Sequence, residues 1–149
     1  MSLPKTQSNG FLPPGIHRAT LNDINGAFGK RTPRREHLMS RLRELMDTVT
    51  STGRVKQAFV FGSFVTSKPF PRDLDVMLLM RQGFDREFTS LAEPERSVFE
   101  HERARLLFEA DVFWATEAIG AEEFTSWLSV YQHSRDMVEC GIVEVILDD

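Results

Sequence analysis

Only one cysteine, Cys140, occurs among the 149 residues. An internal disulfide and a cysteine-based metal cluster are thereby excluded, and the usage fits a reducing compartment. Long apolar runs are missing too. No stretch approaches the length needed to cross a bilayer, and the first residues lack the charged-then-apolar order of a secretory leader. A soluble, cytoplasmic protein with no membrane contact is expected. Positive charge is in deficit, with 18 Lys and Arg against 22 Asp and Glu and a formal net charge of −4. Broad, salt-sensitive binding to nucleic acid needs a concentrated basic surface and is not expected. No internal repeat or low-complexity tract is present. With 41% hydrophobic and 27% charged residues, the composition is that of an ordered globular chain, long enough for one core.

What is there is concentrated in one stretch. The apolar run Ala58 to Phe61 ends in Gly62-Ser63, and nine residues later stands Asp73-Leu74-Asp75, followed by the apolar run Val76 to Met80. Side chains at i and i+2 of a strand share a face, so Asp73 and Asp75 can hold one cation or a cation pair while Leu74 points into the core. Gly62 lets a ligand approach the backbone where a Cβ would collide. If Ser63 opens a short helix, its free amides offer an anion site, and Mg²⁺ shared between carboxylates and phosphates is a common arrangement. Lys68 and Arg72 lie in the intervening loop, where each can add a charge to a bound phosphate chain. The plainer reading is a tight turn at Gly62, with Asp73 and Asp75 as solvated strand-edge acids.

These residues resemble the nucleotidyltransferase superfamily that includes DNA polymerase beta and the minimal nucleotidyltransferases. The resemblance implies a third carboxylate on a later strand. Asp111, between apolar neighbours in Phe108 to Trp114, fits that place, with Glu109 as the reserve. It also implies a nucleoside triphosphate, ATP or another, as donor. Two Mg²⁺ ions, or Mn²⁺, would be held by Asp73, Asp75 and Asp111, with Gly62 and Ser63 gripping the β and γ phosphates and pyrophosphate leaving. Leu12-Pro13-Pro14-Gly15-Ile16-His17 and Gly62-Ser63-Phe64-Val65-Thr66 further resemble a small, functionally uncharacterised branch. Nine residues separate Ser63 from Asp73, one fewer than is usual in the minimal enzymes. In those enzymes a helical toxin partner is the modified protein, so the acceptor expected here is a partner protein of that kind or an RNA end. The rival expectation is an inactive nucleotidyltransferase-like binding module, such as a toxin–antitoxin component, acting through its partner.

Periodicity places the motifs on an α/β or α+β fold, and the resemblance makes it a nucleotidyltransferase-like mixed β-sheet backed by helices in a single domain. Residues 1–17 are expected as an extended or mobile N-terminal segment and 18–149 as the domain. Thr20, with Asp23 three residues on, caps a helix stopping at Gly29; Thr32-Pro33 opens another running to about Thr50. Val55 to Phe61, Leu74 to Met80, Phe108 to Ala115 and Ile142 to Leu147 read as strands. Pro94 to Leu107 and Ala121 to His133 read as helices. Arg31, Arg34, Arg35, Arg41 and Arg43 are either a local basic patch or a solvated helix face. Trp114, Trp127 and Tyr131 are either core or a stacking platform for a base. His101-Glu102-Arg103-Ala104-Arg105 begins like a zinc-protease helix but carries Arg105 where the second histidine must stand, and is set aside.

Overall fold

The computed structural model describes residues 3–147. Helix-end signals near the N-terminus act as their chemistry dictates. Thr20 accepts from the Asp23 amide and Asp23 accepts from the Thr20 amide, a reciprocal cap that starts α1 (Leu21–Phe28). Thr32 accepts from the Arg35 amide and Pro33 fills the first turn of α2 (Pro33–Ser51). Its Leu38, Leu42, Leu45 and Val49 form the buried stripe.

Five strands, β1 (Gly15–Ala19), β2 (Val55–Phe61), β3 (Leu74–Met80), β4 (Ala110–Thr116) and β5 (Gly141–Val145), form one mixed sheet in the order β1-β5-β2-β3-β4. β2 runs antiparallel to β3 and β5, whereas β1–β5 and β3–β4 are parallel pairs. β3 sits between two neighbours and is buried on both faces, as its unbroken apolar run requires.

The two faces have different cover. Ala58, Val60, Val76, Leu78, Val112 and Val143 pack in the larger core with α1, α2, α4 (Glu95–Val98) and α5 (His101–Phe108). Phe59, Met77, Leu79 and Ile142 pack under Phe124 and Leu128 of α6 (Ala121–Tyr131). A one-turn helix, α3 (Phe84–Glu87), follows β3 and brings Phe84 into the larger core. Asp75 and Asp111 share the alternation of Met77 and of Ala115, so they lie on the α6 face.

Two expectations change. The helix expected over Pro94 to Leu107 is divided into α4 and α5, with Glu100 extended between them. On one straight helix, Phe99 would lie roughly 140° from Ala104 and roughly 180° from Phe108, yet all three are buried. The break lets both sets reach the core. The N-terminal segment turns at residues 8–10 and continues into the sheet: β1 spans the boundary drawn after His17, and Leu12 is fully buried. Phe11 bridges Thr66, Ser67 donates to the Gly10 carbonyl and Gly141 to that of Leu12, so residues 10–12 are fastened to the domain. Met1 and Ser2 of the expected tail, and Asp148 and Asp149, lie outside the described residues.

Candidate metal and phosphate site

Parallel register brings the acids together. Asp75 is the direct neighbour of Asp111 across β3 and β4, and Asp73 precedes Asp75 by two residues. One oxygen from each of Asp73, Asp75 and Asp111 lies within 4.8 Å of the others, and all three residues are half-buried. Burial, then the charges of Asp73 and Asp111, push the Asp75 carboxyl up to about 7, against the opposing pull of Arg135 and Arg105. Burial and Asp111 also raise Asp73, while Arg105, Arg72 and Arg34 pull it down. Oδ1 of Asp111 is buried without a hydrogen bond. Arg105 Nε stands 3.5 Å from it and His101 Nε2 3.9 Å, both from α5. An all-oxygen donor set, a carboxyl held near neutrality and an unbonded buried oxygen fit a hard divalent cation such as Mg²⁺ or Mn²⁺.

Gly62 is required for a reason closer to home than a ligand. Its φ is +76°, and a Cβ there would stand 2.1 Å from Asp75 Oδ2. The glycine thus makes room for the carboxylate itself. Ser63 is the second residue of a 3-10 turn, Gly62–Val65, that follows β2. Behind the turn sits Arg35 of α2, only 1% exposed. Its guanidinium donates to the carbonyls of Phe28, Phe64, Thr66 and Lys68 and lies against the rings of Phe28 and Phe64. Every donor it uses goes to backbone, and the carbonyls of the turn are thereby held toward α2.

The remaining predicted residues divide. Arg72 is exposed and close enough to act on Asp73, and Arg34 donates to its carbonyl. Lys68 is exposed; its carbonyl accepts from Arg35 and its amide donates to Thr66 Oγ1, and among the described residues its ammonium makes no ion pair with the acids. Glu109, the reserve third acid, is not a member of the cluster. It caps α5 in a left-handed conformation with φ 51°, before β4 begins, so the two-residue alternation does not carry it to the face of Asp111. Its carboxylate instead pairs with Arg34, His37 and Arg41 of α2. Burial raises its pKa, but the hydrogen bonds from His37 and Arg34 outweigh that and hold it low. Neither expectation for the arginines holds intact, because Arg34, Arg35 and Arg41 are largely engaged within the molecule.

Among the aromatics, Trp114 packs edge-on with Phe84, Phe88 and Phe99, a core position. Its rim, with Phe113, Trp127, Val130 and Tyr131, also lines an open cleft of about 350 Å³. Tyr131 stacks on Phe61 at 4.1 Å, and Phe61 faces Asp75 across β2 and β3. Phe61, His101, Arg105, Phe113 and Arg135 were not singled out as site residues from sequence. For His101 and Arg105 the signal was their four-residue spacing on a helix ahead of the Asp111 strand, dismissed because it failed as a zinc motif.

Fold and site together define a mixed α/β domain that gathers three carboxylates beside a glycine–serine turn. The chain belongs to DUF6932, a family of unknown function, which it matches over residues 4–146. No curated protein and no solved structure matches it. Among the described residues, no helix is long and apolar enough to cross a membrane.

Proposed function

We propose that this protein is a metal-dependent nucleotidyltransferase with a nucleotidyltransferase-like fold. The observation that carries the reading is the convergence of Asp73, Asp75 and Asp111 within 4.8 Å, at the turn containing Gly62 and Ser63. Asp73, Asp75 and Asp111 would hold Mg²⁺ or Mn²⁺. When bound, the cation neutralises the carboxylates and the phosphates and favours the ionised form of an acceptor hydroxyl. Ser63 and the amides of its turn would hold the donor's β and γ phosphates, with Arg72 at the rim. In the transfer, the acceptor oxygen bonds to the α phosphorus, the bond from that phosphorus to the bridging oxygen of the β phosphate breaks, and pyrophosphate leaves with the electron pair. Asp111, on the edge strand, would take the hydroxyl proton or orient the oxygen that loses it. The acceptor class is a hydroxyl of a partner protein, helical and toxin-like in the resembling enzymes, or of an RNA end.

The rival reading, an inactive module working through a partner, draws on the exposed Phe113 and Val130 beside the carboxylates, a surface able to meet another protein. It would gain if Asp111 faced away from Asp73 and Asp75; their proximity supports catalysis instead. Calorimetric titration of each nucleoside triphosphate, with and without Mg²⁺, into wild type and Asp75→Asn tests the donor site on which the proposal rests; release of pyrophosphate on adding an acceptor then separates transfer from an inactive module that keeps nucleotide affinity. Metal-dependent binding that the variant loses is the expected result. Equal binding by the variant, or no binding by wild type, defeats the proposal.

A further inference from the structure

Asp111 presents an oxygen that an arginine and a histidine side chain approach and neither hydrogen-bonds. His101 and Arg105 stand one helical turn apart on α5, and both point at Oδ1, at 3.9 and 3.5 Å. The arrangement is asymmetric in exposure. Asp111 is 21% exposed, while the side chains of His101 and Arg105 are 56% and 58% exposed. The carboxylate is therefore the more enclosed partner, and the Arg105 and His101 side chains approach it from solvent. An ion pair of this kind is weak, because water screens it and a long side chain must be ordered to form it. Arg105 is thus attracted to the site without being locked into it.

That position conflicts with a bound metal. A divalent cation on Asp111 Oδ1 would repel the guanidinium at 3.5 Å and displace it. Once displaced, Arg105 would not need to leave the neighbourhood, since the anion that arrives with the metal is a better partner. A guanidinium offers five donors in a planar fork matched to phosphate oxygens, and a lysine does not reproduce that fork. The α5 backbone can stay still throughout. The Glu109 pairs with Arg34, His37 and Arg41 tie the α5–β4 junction to α2, so only the Arg105 side chain must move.

We infer that Arg105 is an exchangeable counter-ion: it pairs with Asp111 in the metal-free protein and transfers to the ligand's phosphate chain when metal occupies Asp111. The inference rests on the metal and polyphosphate reading of the same site. It assigns Arg105 a phosphate-binding role and gives it effects of opposite sign on the two ligands.

The test is titration of Mn²⁺ alone, and of inorganic triphosphate at saturating Mn²⁺, into wild type, Arg105→Gln, Arg105→Lys and Arg135→Gln. Arg135 also acts on Asp75 through space, so its variant measures the effect of losing one charge near the acids. Arg105→Gln should bind Mn²⁺ about fivefold tighter, which is roughly 1 kcal/mol, and triphosphate about tenfold weaker. Both changes should exceed those of Arg135→Gln, and Arg105→Lys should restore wild-type Mn²⁺ affinity but not triphosphate affinity. Changes no larger than those of Arg135→Gln, or full rescue of triphosphate binding by lysine, overturn the exchange while leaving the metal site standing. If wild type binds neither Mn²⁺ nor triphosphate, the underlying reading fails and the exchange falls with it.

Discussion

Asp75 is an acid whose carboxyl is pushed up to about 7 in the folded protein by burial and by Asp73 and Asp111. Its ordinary value is 3.8, so between those limits the folded state binds more protons than the unfolded chain. Stability therefore falls as pH rises through that window, and the full cost, a few kcal/mol at most, is present above pH 7. Asp75→Asn in metal-free buffer should consequently raise the melting temperature at pH 8, with the gain shrinking toward zero as pH approaches 4. A gain that does not change with pH would show that the charge is not what strains the site. Gly62 belongs to the same account. Its requirement for glycine was legible from sequence, but its partner was not, because the atom that fills the space of the missing Cβ comes from Asp75, thirteen residues on.

Elements decide which acids count. Glu109 and Asp111 are two residues apart and look interchangeable along the chain, but a left-handed residue separates helix from strand and sends the Glu109 carboxylate to α2. Opposite consequences follow for the two variants. Glu109→Gln weakens the tie between α2 and the α5–β4 junction and should cost about 1 kcal/mol, the modest value reflecting its partly exposed partners. It should leave Mn²⁺ affinity within about twofold, since Glu109 lies outside the cluster. Asp111→Asn should weaken Mn²⁺ by at least tenfold, as a lost charged ligand does, without that loss of stability. Chemical denaturation paired with metal titration checks both, and a Glu109→Gln variant that loses metal would restore the glutamate as a ligand. The break between α4 and α5 was illegible for a related reason. Charge alternation over Pro94 to Leu107 suits one helix, and only the core, by demanding burial of Phe99 as well as Ala104, forces two.

At the scale of the whole molecule, four segments distant in sequence meet at one end of the sheet: the β2 turn, the start of β3, the start of β4 and the residues after α6 that bring Arg135 near Asp75. A ligand that binds only this assembled arrangement stabilises the fold by mass action. Mg²⁺ with a nucleoside triphosphate at about a hundred times the dissociation constant should add roughly 2.7 kcal/mol, seen as a rise in melting temperature at pH 8. The rise should be absent from Asp73→Asn/Asp75→Asn, and an equal rise in that variant would place binding elsewhere. The sequence by itself determined the strands β2 to β5 within a few residues, the caps of α1 and α2, the two aspartates on one side of a strand and the glycine between turn and sheet. Each of these depends on local periodicity or on a residue's own stereochemistry. Tertiary structure alone decided that β1 joins the sheet, that Arg35 is buried as the brace behind the turn and that Asp111 rather than Glu109 completes the acids. It also placed Arg105 against Asp111. Those outcomes rest on strand register, on where a helix must break and on which charges find partners across the fold, and none of these is written in the spacing of neighbouring residues.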